Sequence, residues 1–141
     1  MHNSIASSII ISVIALGVVN AQDRPSVKMV PLGQTSPASG KQMFTTYCAV
    51  CHGADGRGGG PAAAALKIQP ANLTQLAAKN NGNYPELHVM ATLSAKDVVA
   101  HGSQEMPIWG DLFKRLGNGD RDIVHLRLSN LTAYIQSIQE K

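Results

Sequence analysis

Cysteine, aromatic rings and charge are all scarce in this chain of 141 residues, and each scarcity excludes something. There are two cysteines, Cys48 and Cys51. A tetrahedral zinc site would therefore have to take its remaining ligands from scattered histidines such as His88 and His101. Charged residues make up 15% of the sequence, the net charge is +3, and no long basic run occurs, so the clustered footprint of a nucleic-acid binder is missing. The aromatics are Phe44, Tyr47, Tyr84, Trp109, Phe113 and Tyr134, little ring area for a core of this size. A buried, flat, apolar prosthetic body would make up the deficit. No segment shows the sustained alternation of a half-buried strand, and the expected fold class is all-α.

Against these absences stands Cys48-Ala49-Val50-Cys51-His52. C-x-x-C-H is the spacing by which a polypeptide captures one c-type haem. Thiols three residues apart lie on neighbouring turns of a helix, where each can add to one porphyrin vinyl group. The histidine follows directly and is carried under the ring as an iron ligand. Three plainer readings compete. A thioredoxin-like redox pair usually sits near a βαβ pattern, but the residues before Cys48 read as helix. Zinc needs two more ligands. A structural disulfide closes so short a loop that it constrains the unfolded chain little.

The opposite iron ligand is sought among methionines and histidines. Met106 precedes Pro107, which removes a backbone donor and stiffens the chain beside the sulfur, so Met106 reads as a loop residue and as the best candidate. Opposite histidine, a thioether raises the reduction potential. Met90 lies at helical spacing with Leu87, Ala91 and Leu93 and reads as packing, as does Met43 beside Phe44. His101 is the rival, and would give a bis-histidine haem. Trp109 and Arg57 carry indole and guanidinium donors suited to a haem propionate. Either is equally a packed tryptophan or a solvated arginine.

The chain resembles the class I cytochrome c family over residues 39–141. Gly40, Phe44 and Cys48 fall four apart, as on that family's first helix, and Asn130-Leu131-Thr132-Ala133-Tyr134-Ile135 is similar to its last. The resemblance implies a small all-α fold packed around one covalent haem c, with His52 and Met106 on the iron. It also implies that glycine and aromatic from the first helix meet leucine and tyrosine from the last. In the family a loop carbonyl accepts the proximal histidine's N–H, and Pro61 is the residue the resemblance suggests. Between Met106 and the last helix, residues 111–119 form a longer connection than in the smallest relatives, read as a docking surface or a solvated loop.

The N-terminus gives the domain plan. Residues 4–19 are uncharged and rich in Ile and Val, and Val19-Asn20-Ala21 suits cleavage after Ala21, so residues 1–21 read as a secretory signal peptide. The n-region has no Lys or Arg, and an uncleaved membrane anchor is the alternative. Residues 22–38, with Pro25, Pro31 and Pro37, read as an extended leader, mobile or loosely wrapped. Residues 39–141 remain for the cytochrome domain. Within it Ser39 and Gln42 form a capping box for a helix over residues 40–48, and Gly53 to Gly60, with five glycines in eight residues, is a loop close to the haem edge. Asn72 caps a short helix ending in the Asn80–Asn83 turn. Pro85 starts another, running to about Leu93. Asp120 starts the last, with Val124, Leu128, Leu131, Ile135 and Ile138 as its buried stripe.

The function expected is that of a periplasmic, monomeric monohaem protein passing single electrons between redox partner proteins in a respiratory or dehydrogenase chain, and not of an enzyme. The alternatives are a cytochrome subunit of a larger oxidase or dehydrogenase, or a haem enzyme or gas sensor with a displaceable sixth ligand. Membrane contact is expected only through a partner or an uncleaved anchor.

Overall fold

The first helix is opened by Ser39, whose side chain accepts the Gln42 N–H at 3.2 Å. Gln42 does not close the box onto Ser39. Its Oε1 accepts from the Ser36 N–H at 2.9 Å, so the cap reaches back into the preceding loop. α1 (Gly40–Met43) passes through a π-helical turn, Phe44–Cys48, into α2 (Ala49–His52). The turn closes with the Ala49 N–H on the Phe44 carbonyl. Such a one-residue insertion is most often found at functional sites. Gly53, at φ 81°, ends the run.

A computed structural model describes residues 34–94 and 106–140 of the chain, within a compact unit Leu32–Lys141. The stretch read as a signal peptide, most of the stretch read as a leader, and the rival ligand candidate His101 lie outside the described residues. After α2 come three short 3₁₀ turns, Ala63–Ala65, Leu73–Gln75 and Ala78–Asn80. Asn72 caps the second by accepting the Thr74 N–H at 2.9 Å, and Asn81 turns the chain in the left-handed region at φ 55°. α3 is Glu86–Ser94, with the Pro85 carbonyl accepting from Val89, and α5 is Arg121–Ser137. Asp120 caps α5 by accepting the Asp122 and Ile123 N–H groups at 2.8 and 3.2 Å. Among the described residues there is no strand, and no helix is long and apolar enough to cross a membrane.

α5 is the hub, packing against α1, α3 and the helix that precedes it. Leu128, Leu131 and Ile135 of the expected stripe are buried, with Val124 and Ile138 partly so. At the α1 crossing a Cβ on Gly40 would collide with the Asn130 carbonyl and lie 2.8 Å from the Tyr134 Cβ. Directly below, the Phe44 and Tyr134 rings meet at 5.2 Å with a 51° tilt. The expected contact between first and last helices is therefore made.

Two expectations need correction. Residues 111–119 are not chiefly a loop, because Trp109–Leu116 is a helix, α4, with Trp109, Gly110 and Phe113 buried. Its apolar residues Trp109, Leu112, Phe113 and Leu116 step by three and four, Asp111 lies in the first turn, and Lys114 and Arg115 lie in the last, a helix pattern that Gly110 and Gly117 obscure. The end of the presumed leader is not loose either. Thr35 is buried and accepts from Arg127 Nη1 at 2.9 Å, while the Pro37 carbonyl accepts from Asn130 Nδ2 at 3.0 Å.

Replacing Gly40 with Ala should destabilise the holoprotein by about 1–3 kcal/mol or more, since a backbone carbonyl stands in the way. Leu126→Ala, at a 42% exposed site on α5, should stay within about 0.5 kcal/mol. Denaturant titration of both variants compares them.

Candidate functional site

One apolar cleft gathers most of the residues in question. Tyr47, Cys48, Cys51 and His52 line it from the first helical run, Val89, Thr92 and Leu93 from α3, and Met106, Pro107 and Trp109 from the start of α4. Ile135 closes it from α5. Its cavity volume is about 210 Å³. No Asp, Glu, Lys or Arg lines it among the described residues.

His52 is buried, and its Nδ1 stands 3.0 Å from the Ala71 carbonyl. A carbonyl only accepts, so Nδ1 carries the proton and Nε2 the lone pair that a metal requires. The bond fixes the ring and raises its basicity. It comes from Ala71 and not from Pro61, which is exposed and outside the cleft lining. The reason is the path of the glycine-rich loop. The Gly60 N–H bonds the Cys51 carbonyl at 3.0 Å and the Ala62 N–H bonds the Val50 carbonyl at 2.9 Å, so the chain around Pro61 runs back along the α2 backbone. Residues 69–71 are then drawn in beside His52. Gly58 makes this possible: it sits at φ 91°, bonds the His52 carbonyl through its N–H at 2.6 Å, and accepts from Gln69 Nε2 at 2.6 Å. A Cβ there would strike the Pro70 carbonyl.

Arg57 is also absent from the cleft lining. Its side chain is 62% exposed and pairs with Glu140 at 2.8 Å, fastening the glycine loop to the C-terminal end. Trp109 is buried and lines the cleft, and its Nε1 finds no hydrogen-bond partner among the described residues. Thr92, which the sequence reading passed over, lines the same cleft with an equally unpartnered buried hydroxyl. Its neighbour Ser94 instead bonds back to the Met90 and Ala91 carbonyls. Met90 is partly buried, packed against the core and outside the cleft, and Met43 is fully buried.

The rival readings of the thiols fare poorly. The cysteines are not joined. Burial, and secondarily the charge of Cys51, pushes the Cys48 thiol up to about 12, opposite to the lowered value of a thioredoxin-like nucleophile. Among the described residues no cluster of three or more His, Cys, Asp or Glu is placed to hold a metal ion. A covalent haem suits what is present: a buried thiol pair, an imidazole with its lone pair on Nε2, apolar walls, and two buried donors without acceptors.

An all-helical domain built this way is a c-type cytochrome. Residues 35–124 match the family model described as cytochrome c oxidase, cbb3-type, subunit III, and the chain belongs to that family. It is an electron-transfer haem protein carrying covalently bound haem c on its C-x-x-C pair. No curated protein and no solved structure matches the chain.

Gly58→Ala should cost about 1–2 kcal/mol for the left-handed backbone alone, and more from the collision with Pro70. Because the displaced segment carries Ala71, the reduction potential should shift as well. Denaturant titration and redox titration of the same preparation check both effects.

Proposed function

We propose that the chain is an exported, monomeric carrier of single electrons, with His52 and Met106 on opposite sides of the haem iron. The observation that carries the reading is that Met106, His52 and both thiols line one cleft, whereas Met90 and Met43 do not. When bound, haem c supplies one-electron chemistry between ferrous and ferric iron. The chain's part is to hold still. Cys48 and Cys51 would anchor the group, the Ala71 carbonyl keeps the His52 ring in place, and Trp109 Nε1 would be free to donate to a propionate. The apolar lining excludes water, and a neutral thioether opposite imidazole favours the reduced state.

Were His52 and Met106 both to hold the iron, no open site would be left for a substrate, which favours a carrier over an oxidase, peroxidase or gas sensor. Export is supported by the uncharged run over residues 4–19 and the small residues before position 22. The partners are redox proteins meeting the cleft mouth through a small, transient interface. A second reading, a fixed subunit of a membrane oxidase or a dehydrogenase, is favoured by the description of the matching family.

Met106→Ala should abolish the weak far-red ferric band of thioether ligation and let the reduced protein bind carbon monoxide promptly, where the parent binds it slowly or not at all. An unaltered band removes Met106 from the iron. Fractionation of the producing cells separates the two assemblies, since a carrier elutes alone from the periplasmic extract and a subunit leaves the membrane with a larger enzyme.

A further inference from the structure

Behind the cleft wall lies a buried cation that electron transfer as described above does not use. Arg127, in the middle of α5, is 5% exposed. Its Nη1 donates to Thr35 Oγ1 at 2.9 Å, and its Nη2 donates to the Thr35 carbonyl at 2.8 Å. Nη1 also approaches the Met43 sulfur at 3.7 Å, while Nε is buried without a partner. All these acceptors are neutral. Among the described residues no carboxylate pairs with the guanidinium. A buried arginine usually has a counter-ion, because desolvating a full charge against neutral groups alone is costly.

Its position relative to the cleft gives the charge a use. The guanidinium carbon lies 5.8 Å from the centre of the Phe113 ring. Phe113 in turn meets Tyr47 at 6.2 Å and Trp109 at 6.3 Å, and both of these line the cleft. A hydrogen-bond chain follows the same path, since Thr35 Oγ1 is 3.0 Å from the Tyr47 hydroxyl. One layer of rings thus separates a permanent positive charge from the cofactor's wall. The intervening Phe113 ring is apolar, and among the described residues no Asp, Glu, Lys or Arg lines the cleft to screen the charge.

We propose that Arg127 is a potential-setting residue: its buried charge disfavours the extra positive charge of ferric iron and so holds the haem's reduction potential up. Guanidinium suits the task because it is more weakly hydrated than an ammonium and so tolerates burial against neutral acceptors better. This reading rests on haem c in the cleft, which family membership gives, and not on Met106 as ligand. With an effective dielectric constant of about 20, a unit charge shifts an equilibrium about tenfold over roughly 12 Å, the path from the guanidinium through Phe113 to the Tyr47 ring at the cleft wall, and less over any longer distance.

The test is redox titration of purified holoprotein carrying Arg127→Gln, Arg127→Lys or Thr35→Val. Glutamine keeps an N–H donor for Thr35 and removes the charge. It should shift the ferrous-to-ferric balance toward ferric by up to about tenfold, a fall of up to about 59 mV for a one-electron couple. Lysine retains the charge and should restore most of that loss. Thr35→Val breaks the same side-chain hydrogen bonds with the charge in place, and should lower stability while leaving the potential near the parent's. A potential unchanged in Arg127→Gln overturns the proposal, as does one equally low in the lysine and valine variants, which would make Arg127 a purely structural anchor. Should the glutamine variant fail to accumulate, Arg127→Met, which also removes the charge and fills similar volume, takes its place, and an unchanged potential in it overturns the proposal in the same way. Absence of the haem absorption bands from the parent itself would instead remove the premise about the cleft.

Discussion

The crossing of α1 over α5 sets where everything else can stand. Gly40 has no Cβ, and the helix backbones approach until the Asn130 carbonyl occupies the space a side chain would fill. Phe44 then drops onto Tyr134 four residues further along. From this fixed contact α1 continues through the π-helical turn into α2 without a break in the helical run, so Cys48, Cys51 and His52 are carried out at a defined distance and rotation. Any loosening at Gly40 would be transmitted along that run to the thiols, because no flexible joint intervenes. The extra residue of the π turn falls between Phe44 and Cys48, the stretch in which packing against α5 gives way to facing the cleft.

The other wall is held by backbone rather than by side chains. His52 is steadied by the Ala71 carbonyl, which is placed by Gly58 and Gln69, and the glycine-rich loop earns its composition by letting main chain lie directly on main chain. A carbonyl in this position raises the basicity of the imidazole without adding a formal charge to an apolar cleft. That restraint matters electrostatically. In a cleft that no Asp, Glu, Lys or Arg among the described residues lines, a few oriented dipoles and one distant charge retain influence that water would otherwise screen. The unpartnered Trp109 Nε1 and Thr92 Oγ1 belong to the same economy of polar groups: each is expensive alone and satisfied once an acceptor arrives.

What could be read from sequence divides along physical lines. Local chemistry was legible. Ser39, Asn72, Pro85 and Asp120 each start a helical element through a hydrogen bond or a fixed φ that depends on immediate neighbours, and each stands where its residue type implies. The α5 stripe was legible because burial repeats with the helix. What escaped depends on contacts distant along the chain. α4 was obscured by two glycines, although Gly110 is there because the Ser94 backbone lies against it. The partner of His52 is a carbonyl, and every residue has one, so only the path of the loop distinguishes Ala71 from Pro61. Arg127 occupies a position between Val124 and Leu128 that pattern alone assigns to the surface. Its burial depends on Thr35, 92 positions away.

That last contact also moves the edge of the domain. Thr35 receives Arg127 twice and touches the Tyr47 hydroxyl, and the family match begins at this same residue, 35. A core beginning at Ser39 would leave a buried guanidinium without its acceptors and a cleft-lining tyrosine without its hydroxyl partner, both costlier than the ordering of a few residues. Proline at position 37 is compatible with docking because its carbonyl, and not an N–H, meets Asn130. The segment after Gly33 is therefore part of the fold by energetics although its composition reads as linker. Its docking couples the N-terminal approach to the cleft wall through Thr35, Tyr47 and Arg127, so the chain's entry into the domain and the electrostatics behind the cofactor are settled by one set of hydrogen bonds.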